Sequence, residues 1–274
     1  MKRSTLVATA LAGALLASFA ATGTAMAAVA GPPRYMSCNK AAKSGKTYTG
    51  AFSDKSCTTE APGHEGKYEL GTLTKLPAKV KDTVGKVDIY LYNPMTKKAE
   101  AHFECASGKA SGAITSASGG ELTISYSSCK ATGQLAGPCN SAGQKSGVVV
   151  TNALASRLEW LNESQTEPGI ALTAAKEGGS ISSVICAGGA ETAELVGALT
   201  GRIAPTSAVS KTQTLTFAAD GETGEPEFAG GWENDVFTSE PLLTNLSGVK
   251  TFSDVPSSQN SVFAQKGPAV LIGV

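Results

Sequence analysis

All six cysteines of this 274-residue chain, Cys38, Cys57, Cys105, Cys129, Cys139 and Cys186, lie downstream of an N-terminal segment built like an export signal, and no feature constrains the fold more. Lys2 and Arg3 supply a short positive start, Leu6 to Ala21 is uncharged and mostly apolar, and small-x-small cleavage sites follow at Ala25-Met26-Ala27 and Ala28-Val29-Ala30. That order is the layout of a secretory signal peptide, expected over residues 1–27 with cleavage after Ala27 or Ala30. No later run approaches the roughly 20 apolar residues that span a bilayer, so no transmembrane anchor is expected after cleavage. The expectation is a secreted, extracellular protein in which an even cysteine count forms three disulfides.

Six cysteines allow 15 pairings. Spacing ranks three of them: Cys38 with Cys57 inside an N-terminal segment, Cys129 with Cys139 around a short loop, and Cys105 with Cys186 as the remaining pair. A metal site is not expected. The closest cysteines have nine residues between them, no CxxC occurs, and the only histidines are His64 and His102.

Removing Lys2 and Arg3 takes the basic count from 23 to 21 against 23 acidic residues, a net charge of −2. A nucleic-acid binder would carry a basic excess, so that class is set aside. Apolar residues make up 41% of the chain, too many for disorder, and they recur in short alternating runs. Strands are expected at Lys86–Tyr92, Ala99–Cys105, Gly112–Thr115 and Glu121–Tyr126, and again at Gly169–Thr173, Ser180–Cys186, Leu195–Thr200 and Thr212–Ala218. Ala153–Leu161 suits either period and is read as a strand.

Those two series align at an offset of 81 residues. Gly66 to Gly108 lies on Gly147 to Gly189, matching Ile89-x-Leu91 with Ile170-x-Leu172 and Cys105-Ala106-x-Gly108 with Cys186-Ala187-x-Gly189. The fold class expected is therefore all-β, a barrel or sandwich built from two copies of a ~81-residue strand unit. Its boundaries are a disulfide-stapled N-terminal segment at 28–65, a duplicated domain at 66–274 with repeats at 66–146 and 147–229, and a loop-rich tail at 230–274.

The run from Cys38-Asn39-Lys40-Ala41-Ala42-Lys43 through Tyr48-Thr49-Gly50-Ala51-Phe52 to Cys57, closing on Gly66-Lys67-Tyr68-Glu69-Leu70, resembles a segment of secreted proteins of soil actinobacteria. The later Cys-x9-Cys and Gly-Ala-(Ile/Leu)-Thr landmarks are similar to the same group. The resemblance implies export and a β-rich, disulfide-bonded fold, and it implies no activity.

Catalytic signatures are sparse. No Gly-x-Ser-x-Gly elbow is present, His64 sits in a Pro-Gly turn, and His102 shares a strand face with Glu104 as a surface histidine. Asp220 to Glu227 holds four carboxylates and reads as a solvated turn, with calcium as the alternative. Trp232 stands on a Gly-rich loop beside Glu233 and Asp235, a composition that could stack on a sugar and fix its hydroxyls; core packing is the competing role. Trp160 is read as core.

The reading favoured is a secreted or cell-envelope-associated, non-enzymatic β protein with a structural or binding role. A cell-wall or extracellular glycan is the candidate partner, and no cofactor is expected. The alternative is a secreted glycan-active hydrolase using paired carboxylates, which needs a groove lined by acids and aromatics. A third reading gives the 129–139 loop an inhibitor-like role.

Overall fold

The computed structural model describes residues 31–93, 98–133, 136–186, 191–206, 208–219, 226–233, 236–239, 241–247 and 255–273. The expected signal segment, Asp235, and residues 220–225 of the acidic turn lie outside the described residues. Strands account for 64% of the described residues and helix for 2%. Among the described residues no helix is long and apolar enough to cross a membrane.

The first part of the chain forms β1 (Arg34–Lys40), β2 (Lys43–Ser44), β3 (Thr47–Tyr48) and β4 (Tyr68–Thr72). Next come β5 (Ala78–Asn93), β6 (Lys98–Cys105), β7 (Ser107–Ile114), β8 (Gly119–Ser127), β9 (Lys130–Ala131), β10 (Gly137–Pro138) and β11 (Val149–Val150). The second half supplies β12 (Leu154–Trp160), β13 (Pro168–Ala174), β14 (Ser182–Cys186), β15 (Glu191–Val196), β16 (Ala198–Ala204) and β17 (Ser210–Phe217). It closes with β18 (Gly230–Glu233), β19 (Val236–Ser239), β20 (Leu242–Ser247) and β21 (Val255–Gly273).

Eight of these strands close an antiparallel barrel in the order β5-β7-β8-β12-β13-β16-β17-β21 and back to β5. Alternation fixes what faces inward. On β5, Val80, Asp82 and Val84 are buried while Lys79, Lys81 and Thr83 are exposed. Leu122, Ile124 and Tyr126 of β8, Leu154 and Leu158 of β12, and Leu215 and Phe217 of β17 complete the interior. Tyr35 of β1 is buried with them, and β1 pairs with the end of β21. The interior is filled: the void bordered by Tyr35, Ile114, Leu172, Leu215 and Gln265 is about 10 Å³, room for about one water.

Two strands are long enough to leave this barrel. β5 has 16 residues and β21 has 19. Their outer halves pair with β6 and β20, and β20 continues through β15 to β14. On the other side β6 pairs with β9 and β9 with β10, and the Asn140–Ile185 bridge joins that segment to β14. The extra strands thus close a second ring stacked on the barrel.

Residues 230–274 are not a loop-rich tail. They supply β21, which seals both rings. The reason lies in its mixed polarity: Gln259, Ser261 and Gln265 share the buried face with Phe263, Val270 and Ile272, while Val262 and Ala264 face out. A strand with polar residues inside carries no clean apolar alternation to read.

The stretches aligned at 81 residues have different neighbours. Residues 87–93 pair with β6, whereas their counterpart β13 pairs with β12 and β16. The stapled N-terminal segment is present through Cys38–Cys57, with Asp54 accepting hydrogen bonds from the backbone N–H groups of Ser56, Thr58 and Thr59 on either side of Cys57. The Thr59 N–H leads in holding the Asp54 carboxyl down at about 2.

The other two disulfides correct the spacing argument. Cys105 bonds Cys129 and Cys139 bonds Cys186, in place of Cys129–Cys139 and Cys105–Cys186. Register explains this. Glu104 is opposite Lys130, Ala131 opposite Gly137, and Asn140 opposite Ile185. Extending those ladders places Cys105, Cys129, Cys139 and Cys186 side by side in one buried row across four neighbouring segments. With strands about 4.8 Å apart, the outer two stand roughly 14 Å apart along the row, beyond the reach of a disulfide, so the cysteines pair first with second and third with fourth.

Candidate functional site

The hairpin of β18 and β19 is attached to the barrel rim at a single register position, Trp232 opposite Trp160. Gly231 lets it seat there, because a Cβ at that position would collide with the side chain of buried Glu159. Trp160 is core, as expected, and its indole N–H donates to the Gly31 carbonyl at 3.0 Å.

Trp232 is half-buried and leans on Phe237, its cross-strand partner, with ring centroids 5.4 Å apart. Phe237 is 46% exposed and its neighbour Val236 62%. β19 therefore presents an apolar edge to solvent, a feature that marks interaction surfaces. Close in sequence, Phe228 lies under the Arg202 guanidinium at 5.1 Å, and Arg202 is ion-paired to Glu227 at 2.7 Å and to Glu167. The hydrogen bond that Arg202 donates to Glu227 leads in holding Arg202 above its ordinary range.

Of the three residues singled out in the sequence, Trp232 stands on this hairpin and Glu233 follows it in β18 opposite Val236, while Asp235 lies outside the described residues. Glu227 of the acidic turn is ion-paired to Arg202. The sequence did not associate Arg202 with this region, because β16 meets the hairpin only through the barrel's closure.

A second cluster surrounds His102 on the outer halves of β5 and β6. Asp88 is opposite Glu104, and Tyr90 opposite His102. The His102 ring stacks on Tyr90 with centroids 5.6 Å apart; its Nδ1 is 2.8 Å from the Thr132 hydroxyl and its Nε2 3.5 Å from Asp88. Ligand atoms of Asp88, His102 and Glu104 all lie within 4.8 Å of one another, a set that could hold a divalent cation. The Lys86 ammonium is already shared between the carboxylates, 3.2 Å from Asp88 and 3.0 Å from Glu104, and Lys130 adds a contact to Glu104 at 3.4 Å. The cluster is thus a charge-balanced cross-strand network. Lys86 leads in holding Glu104 below the usual carboxylate range. Replacing Lys86 with Met is expected to move the Glu104 titration upward in a carboxyl NMR experiment; an unmoved titration would show that the contact does not persist in solution.

Compared with protein families, with curated proteins and with solved structures, the chain matches none. The functional reading therefore rests on the chain's own geometry.

Proposed function

We propose that the chain is an exported, non-enzymatic β-barrel protein that binds an extracellular or cell-wall glycan through the Trp232–Phe237 hairpin. Export follows from the 1–27 signal and agrees with three disulfides and no free thiol among the described residues. The observation that carries the binding role is the aromatic pair on an exposed edge, flanked by Arg202 with Glu167 and Glu227. Rings of this kind offer an apolar face to the C–H surface of a sugar, while nearby charged groups hold its hydroxyls.

The test is binding of the mature protein to a glycan array and to cell-wall preparations, with Trp232→Ala, Phe237→Ala and the double variant in parallel. Truncating an anchor aromatic should weaken capture about tenfold, corresponding to about 1.4 kcal/mol. Unchanged binding by the double variant would remove the hairpin from the site. Release of soluble sugar during the same incubation would overturn the non-enzymatic reading in favour of a hydrolase.

A further inference from the structure

The outer faces of β21, β5, β7 and β8 form an open hollow of about 480 Å³. Three lysines from three strands line it: Lys81, Lys109 and Lys266, all exposed. Lys81 is directly opposite Lys266 in one ladder and opposite Ser111 in the other, and Lys109 is opposite Thr83. The register therefore sets two ammonium groups face to face and a third on the diagonal, a placement that destabilises a sheet by itself.

The one carboxylate bordering the hollow, Asp82, is buried with the inward-facing side chains of β5 and pairs with none of the three lysines. Among the described residues none of these three lysines forms an ion pair, whereas Lys86, farther along β5, is shared by Asp88 and Glu104. The chain has as many acidic as basic residues, so an unbalanced basic face reflects placement, not composition. The hydroxyl groups of Thr83, Thr123 and Ser125 line the same hollow.

We propose that this face is a second binding site, for a polysaccharide bearing carboxylate, sulfate or phosphate groups. The ammonium groups match repeating negative charges, and the hydroxyls exchange hydrogen bonds with sugar hydroxyls. The lining contains no aromatic side chain on which bases would stack, which favours a glycan over single-stranded nucleic acid. The hairpin is attached at Trp160 of β12, and no hairpin residue lines the hollow, so the two sites are separable, and this one does not depend on the function proposed for Trp232.

The experiment measures binding of the mature protein to heparin and to polygalacturonate, with neutral dextran, a single-stranded oligonucleotide and anionic lipid vesicles as comparison arms. The variants are the triple substitution Lys81→Gln, Lys109→Gln, Lys266→Gln and, separately, Trp232→Ala. At about 0.05 M salt the triple variant should bind the anionic glycans about tenfold or more weakly, and the wild-type interaction should fade toward about 0.5 M salt as charges are screened. Added to Trp232→Ala, the triple lysine substitution should weaken binding by the same factor. A circular-dichroism melt shows whether the triple variant is folded; should it be unfolded, each single Lys→Gln variant is measured instead and is expected to weaken binding by a smaller factor. Undiminished binding by folded triple or single variants, equal binding of dextran, or tighter binding of the oligonucleotide or the vesicles would overturn the proposal.

Discussion

Replacing Cys139 and Cys186 together with alanine is expected to lower the unfolding free energy by about 4 kcal/mol, the largest effect of any single cross-link in this chain. The expectation follows from loop size. The Cys139–Cys186 bridge closes 47 residues, against 24 for Cys105–Cys129 and 19 for Cys38–Cys57. The chain-entropy relation gives about 4.0, 3.4 and 3.2 kcal/mol in that order. For a domain of this size about 4 kcal/mol corresponds to a fall in Tm of roughly 8–16 °C. Position adds to the case, because this bridge fastens β14 to the Asn140 segment, where the second ring is closed by one isolated β-bridge instead of a ladder. The variant should therefore lose hydrogen-exchange protection in β14 and β15 before it does so in β7 and β8. Non-reducing peptide mapping of the wild type should return Cys105 linked to Cys129 and Cys139 linked to Cys186. Recovery of a Cys129–Cys139 peptide, or an alanine variant as stable as the wild type, would contradict the row of four cysteines.

How far such features could be read from the sequence depends on whether their cause is local. Short alternating runs such as Lys86 to Tyr92 and Glu121 to Tyr126 fall within β5 and β8 because one buried face is enough to stamp a period of two. Cys38–Cys57 was legible because both partners lie in one short segment. The remaining pairings were not, since they are decided by which segments become neighbours when β10 is led back toward β14. β21 was illegible for a chemical reason: Gln259, Ser261 and Gln265 point inward beside Phe263 while Val262 faces out, so no clean alternation shows. Trp232 could be singled out by its glycine-rich setting, but Arg202 reaches that region only through the curvature of the barrel. The basic face was hidden in the same way, because Lys81, Lys109 and Lys266 are scattered over the chain until β21 closes against β5.

The polar part of the interior carries a second large effect, at Asp82. This carboxyl is buried among Val80, Val84 and Gln265 on the inner wall of the barrel, and neither of its oxygens has a hydrogen-bond partner of normal geometry. Burial raises its pKa to about 6, with the Gln265 amide offsetting only part of the rise. In the unfolded chain the same group titrates near 3.9. The sign follows from proton counting: between those values the folded state keeps a proton that the unfolded state has released, so rising pH favours unfolding. The stability associated with the neutral acid is fully present below about pH 4 and is lost as pH rises through about 6, to a total of about 3 kcal/mol. Asp82→Asn presents a neutral amide of the same shape and should remove this loss. It is expected to raise stability at about pH 7.5 by up to about 3 kcal/mol, roughly 6–12 °C in Tm, while changing little at about pH 4. Asp54 and Glu104, both held below their ordinary values, act in the opposite direction, but only as pH falls below about 4. Urea unfolding of wild type and variant at several pH values between about 4 and 7.5 isolates the Asp82 contribution. Parallel pH profiles for the two proteins would mean that Asp82 keeps its charge inside the folded barrel, satisfied there by water or by movement of Gln265 and Gln213.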